Sequence, residues 1–126
     1  MNMLDQAEAL KLRTKQFAIR IASVVRSIPR TREGDVVGRQ LLRCGTAVAA
    51  NYRAVYRSRS KAEFISKISI VVEEADETVF WLELLADTAI VPTEKLSLLL
   101  KEANELLAIC AASLRTAKHN KAALDF

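Results

Sequence analysis

Little in this sequence breaks a helix: its 126 residues include only three Gly and two Pro. Disordered chains and all-β folds, which draw heavily on turn residues, are excluded by that scarcity together with 51% apolar residues. Aromatics supply only 6%, so the core is expected to be mostly aliphatic. No stretch approaches the roughly 20 apolar residues that span a bilayer. Met1 to Leu10 lacks the basic start and apolar run of a secretory leader, and a cytoplasmic protein with no membrane role is expected. Cys44 and Cys110 lie far apart and lack the paired spacing of a zinc or redox motif, which predicts two reduced core cysteines and no disulfide. Histidine occurs once, as His119. A di-iron site built on Glu-x-x-His pairs is therefore excluded, and a Ser or Cys nucleophile lacks a base unless His119 reaches it.

What the sequence does have is helical periodicity. Leu10, Phe17, Ile21, Val24 and Ile28 recur at helical spacing and predict a first helix over about 5–27, ended by Pro29. Val37, Leu41, Cys44, Val48, Tyr52 and Val55 predict a second over about 35–56, with Gly38 and Gly45 inside it. Each internal Gly costs roughly 1 kcal/mol against Ala, so close approach of a neighbouring helix is the expected compensation. Ser60-Lys61-Ala62-Glu63 reads as a capping box that opens a third helix over about 61–89. Pro92 resets the chain, and Thr93 is the expected cap of a fourth helix to about residue 118, carrying Leu96, Leu99, Ala103, Leu106 and Cys110. Beyond it, the tail to Phe126 is expected to fray. Short connections between long helices make an all-α, antiparallel up-down four-helix bundle in a single domain, residues 1–126, the simplest arrangement.

Charge is divided unevenly. Residues 1–61 hold 13 Lys and Arg against 4 Asp and Glu, while residues 62–126 hold 6 against 11. Such asymmetry permits nucleic-acid binding and equally permits the two halves to pair with each other. Arg39, Arg43, Arg53 and Arg57 fall within about 80° of one another on the second helix. Glu74, Glu77 and an outward Trp81 share a stripe on the third, and the antiparallel register puts Arg43 level with Glu74 and Arg39 near Glu77. A neighbouring helix, another subunit and solvent all remain open as the destination of the arginines. Arg57, Arg59 and Lys61 join Arg53 around one bundle end as the candidate nucleic-acid contact, to RNA or DNA. Phe80, Trp81 and Leu84 cannot all face inward beside Val79 and Leu82, and this apolar surplus predicts a homo-oligomer with an interface there.

Several segments carry a resemblance: Ser27-Ile28-Pro29, Gln40-Leu41-Leu42-Arg43, Asn51-Tyr52-Arg53-Ala54, Arg57-Ser58-Arg59-Ser60, Glu73-Glu74-Ala75-Asp76-Glu77 and Phe80-Trp81-Leu82-Glu83-Leu84. Together they resemble the four-helix-bundle family named for proteins encoded in 23S ribosomal RNA intervening sequences, over about residues 16–115. Many members have Asn-Ile-Ala-Glu-Gly where this chain has Asn51-Tyr52-Arg53-Ala54, which marks a distinct branch. The resemblance implies a homopentamer with no established enzymatic activity. The chain is also similar to the accessory proteins of diversity-generating retroelements, which implies nucleic acid and a reverse transcriptase as partners. The family name records where some of the genes lie, and does not mean that the protein binds the ribosome.

Two enzyme motifs are incomplete. Glu73-Glu74-Ala75-Asp76-Glu77 fits the EExxE half of helical nucleotide pyrophosphatases, whose carboxylates hold Mg²⁺, but no ExxD half follows and Glu83 to Asp87 is spaced by four. Arg115 and His119 resemble the Arg and His of the HEPN ribonucleases with one residue too few between them. No catalytic residue, metal or cofactor is expected. The expected function is a non-enzymatic oligomeric scaffold or accessory protein with weak, sequence-tolerant nucleic-acid binding. A protein adaptor is the alternative, and a HEPN-like ribonuclease a distant one.

Overall fold

Apolar residues at helical spacing, interrupted only around the two prolines and the 57–60 turn, dictate four helices. A computed structural model describes residues 3–124, with side chains from 5 to 120, and contains α1 (Met3–Ser27), α2 (Arg32–Tyr56), α3 (Lys61–Asp87) and α4 (Thr93–Leu124). No strand occurs among the described residues. None of the helices is long and apolar enough to cross a membrane.

The boundaries follow from local chemistry. α2 starts at Arg32 rather than Asp35 because Thr31, in extended backbone, accepts a hydrogen bond from the Gly34 N–H at 3.0 Å. Ser60 likewise accepts from Glu63 N–H at 3.1 Å. The Glu63 carboxylate reaches back to the N–H of Arg59 at 3.4 Å, one residue before the cap. α3 stops at Asp87, short of residue 89: Thr88 closes it, and Ala89 turns left-handed at φ 57° so that the Ile90 N–H reaches the Leu85 carbonyl. α4 begins at Thr93, with the Pro92 carbonyl accepting from Lys95 N–H at 3.0 Å. It continues past residue 118 to Leu124, through Lys and Ala residues that favour helix and with no Gly or Pro to stop it. Asp125 and Phe126, part of the tail expected to fray, lie outside the described residues.

α2 packs along both α1 and α3, α3 packs along α4, and α1 meets α4 over a much thinner seam. The stripes interdigitate in two core clusters. One, toward the connection between α1 and α2, holds Phe17, Ile21, Leu41, Leu82, Leu96 and Leu106. The other, toward the connection between α2 and α3, holds Val48, Tyr52, Ile68, Val71 and Cys110. Leu10 and Leu107 pack against both. Each fully buried side chain of this size contributes roughly 1.5–3 kcal/mol, which makes the aliphatic core the main source of stability.

Gly38 and Gly45, the two glycines beyond the first turn of α2, differ. A Cβ at Gly45 would lie 2.8 Å from Ile21 Cγ2 and 3.2 Å from Ile21 Cβ, so the absent side chain lets α1 approach. At Gly38 the nearest atom would be Val25 Cγ1 at 3.6 Å, an ordinary contact. Among the described residues Thr14 and Thr78 are the buried polar ones, and each hydroxyl donates to a carbonyl in its own helix, Lys11 and Glu74 respectively.

Candidate functional site

On the arginine stripe of α2, Arg43 is ion-paired, and Arg39, Arg53 and Arg57 form no ion pair among the described residues. Arg43 Nη2 lies 2.6 Å from Glu77 Oε2, and its Nη1 lies 3.1 Å from Glu74 Oε2. The hydrogen bond from Arg43, assisted by one from Trp81, holds the Glu77 carboxyl below the usual carboxylate range. Arg39, expected near Glu77, is exposed and has no ion pair among the described residues; Arg43 takes both carboxylates. The Trp81 indole N–H donates to Glu77 Oε1 at 3.3 Å, and its ring meets Phe80 edge-on at 4.9 Å. Trp81 and Leu84 are half-buried against the core, and Phe80 is exposed at 54%.

A second clasp has no local sequence signal. Arg13 of α1 donates from Nε and Nη2 to the two oxygens of Glu102 on α4, at 2.7 and 2.6 Å, and from Nη2 to Glu105 at 2.7 Å. This fork keeps Glu102 below its ordinary range. Its partners are 89 and 92 positions apart in sequence, so only knowledge of the neighbouring faces could have paired them. Both clasps join the basic first half of the chain to the acidic second half.

Arg53, Arg57, Arg59 and Lys61 are exposed and form no ion pair among the described residues. The last turns of α2 and the short link to α3 bring the three arginines together. They line one shallow concavity of about 550 Å³ with Ala50, Ala54 and a single carboxylate, Glu63. Lys61 faces a different hollow of about 710 Å³ between α3 and α4, whose lining includes Arg59, Phe64, Ile109 and Ala112. Arg59 borders both concavities, which therefore adjoin.

The remaining candidates stay dispersed. Glu74 and Glu77 are engaged by Arg43, and no group of three His, Cys, Asp or Glu able to hold a metal ion occurs among the described residues. Burial pushes the Cys110 thiol up to about 11 and raises that of Cys44, so both are protonated at neutral pH. Arg115 and His119 are exposed near the end of α4.

The family model described as 23S rRNA-intervening sequence protein matches residues 9–112. A crystal structure from Bacteroides thetaiotaomicron, described as a protein with unknown function from the S23 ribosomal protein family, is similar at 29% identity and TM-score 0.79. The alignment covers 86% of this chain and 97% of that one. No curated protein sequence matches. Matched over most of its length, the chain belongs to the 23S rRNA-intervening sequence protein family.

Proposed function

We propose that this protein is a non-enzymatic, cytoplasmic, homo-oligomeric scaffold or accessory protein that binds nucleic acid weakly and without sequence preference. The observation that carries the nucleic-acid role is a division among the cations. Arg13 and Arg43 are satisfied by carboxylates, whereas Arg53, Arg57, Arg59 and Lys61 gather at one end of the molecule and form no ion pair among the described residues. Unpaired guanidinium groups close together suit phosphate oxygens, and each phosphate contact releases counterions. Antiparallel up-down packing is supported by the pairing of 43 with 74 and 77, and of 13 with 102 and 105.

Assembly is supported by large apolar side chains left in solvent, among them Leu12, Ile19, Phe80 and Leu98, the last 73% exposed. The pentamer is taken from the family likeness alone. Light scattering after gel filtration tests it: a monomer at micromolar concentration removes the scaffold role, and a dimer or tetramer removes only the stoichiometry.

Fluorescence anisotropy with labelled RNA and DNA at two salt concentrations tests the binding. Affinity should fall steeply with salt. Replacing Arg57, Arg59 and Lys61 with Gln should weaken all sequences alike and flatten the salt slope. An intact oligomer that binds nothing at low salt leaves the protein-adaptor function, for which a reverse transcriptase is one partner to try.

A further inference from the structure

Beside the basic concavity lies a surface of different character. The hollow between the start of α3 and the later turns of α4 has Phe64, Ile109, Ala112 and Ala117 in its lining. Ser113, Thr116 and Asn120 supply hydroxyl and amide groups, and Arg59, Ser60 and Lys61 border it. Its volume of about 710 Å³ falls within the range of about 300–1,000 Å³ usual for ligand pockets. Phe64 is half-buried: it packs against the Tyr52 and Ile68 core cluster and also lines the hollow. Its ring is thus held by the core while part of it borders a space open to solvent.

The two concavities meet at Arg59. Arg53, Arg57 and Arg59 therefore lead directly to an apolar recess that contains an aromatic ring, amide and hydroxyl groups, and Lys61. A duplex keeps the faces of its bases stacked inside and shows only their edges, in the grooves, so it offers such a recess no flat ring. A single strand can turn a base out, stack it on an aromatic ring, and hydrogen-bond its edge.

We infer that the occupant of this composite surface is a single strand of nucleic acid, its phosphates on Arg53, Arg57 and Arg59 and one unpaired base in the hollow against Phe64. This rests on the nucleic-acid role proposed above and specifies the form of the ligand. Charge complementarity selects a polyanion, and the adjoining apolar hollow selects a polyanion with an exposed flat ring. Stacking is available to every base, so binding stays sequence-tolerant.

The test is fluorescence anisotropy with the full chain, using short single-stranded RNA and DNA and the duplex of the same sequence. Single strands should bind at least about tenfold more tightly than the duplex. Phe64→Leu keeps an apolar group against the core while removing the ring, and should lower single-strand affinity by roughly tenfold, the order of one stacked base, without changing duplex affinity. Ala112→Glu, at an exposed position, puts a carboxylate in the hollow and should act in the same direction. Arg57→Gln should weaken single strands and duplex together. Equal affinity for both forms, with Phe64→Leu and Ala112→Glu silent and Arg57→Gln still effective, overturns the base-binding hollow and leaves the nucleic-acid role standing. Failure of the intact protein to bind either form removes both. A change of oligomeric mass in Ala112→Glu with unchanged affinity makes the hollow a self-association face and overturns the inference as well.

Discussion

Glu102 shows how one residue's environment sets the pH response of the molecule. Its carboxylate accepts two hydrogen bonds from Arg13, which lowers its pKa from the ordinary 4.5, while partial burial opposes that shift. A carboxyl that ionises more readily folded than unfolded adds stability wherever both states are ionised, at pH above about 4.5. That stability is lost as pH falls through the lower folded value. Glu77, held down by Arg43, titrates with the same sign. Melting temperature should therefore be level from pH 7 to about 5 and decline below that. Glu102→Gln should melt roughly 2–6 °C lower at pH 7 and show a flatter acid limb. Parallel melting curves for both proteins across that range would show that the clasp contributes nothing to stability.

At the scale of the helix, substitutions at Gly38 and Gly45 of α2 should have opposite effects. Gly38→Ala adds a methyl group at ordinary contact distance and should raise stability by about 0.5–1 kcal/mol through helix propensity. Gly45→Ala gains the same propensity but brings the methyl group within 2.8 Å of Cγ2 and 2.9 Å of Cγ1 of Ile21, a branched residue fixed in the core, and should lower stability by about 1–2 kcal/mol net. Urea titration of the two variants distinguishes them, and two stabilised proteins would mean that α1 shifts freely away from α2. Both positions look alike in sequence; what separates them is the face of α1 that each one meets. The stripes and Ser60 made the helices and one cap readable, because apolar periodicity and capping chemistry are local. Thr31 is also a local cap, but the punctuation of Pro29 and Gly34 drew the expected start toward Asp35. α3 ends at Asp87, two residues short of the expected 89, because Ala89 adopts the left-handed turn that a glycine usually marks. Arg43 with Glu74 followed from register between consecutive helices, whereas Arg13 with Glu102 and Glu105 joins the first helix to the last. The hollow beside Phe64 joins residues 58–64 to residues 109–120 and has no local signal, whereas Arg53, Arg57, Arg59 and Lys61 lie close in sequence and are read as a group from their shared charge.

For the molecule as a whole, the helix contacts resemble a folded strip more than a closed ring. Three lateral joints are broad, between α1 and α2, α2 and α3, and α3 and α4, while the fourth, between α1 and α4, is thin and is clasped by Arg13. Opening energy is not uniform across such a body, and partial opening proceeds where the fewest contacts must be surrendered. The strip should unroll along its free edges, with α1 or α4 swinging out while α2 and α3 stay joined. Amide exchange should then be slowest in the buried middles of α2 and α3 and faster along α1 and α4. Arg13→Ala should quicken exchange in both outer helices and leave the inner pair nearly unchanged. Uniform exchange across all four helices, in the native protein and the variant alike, would mean that the bundle opens only as a single unit.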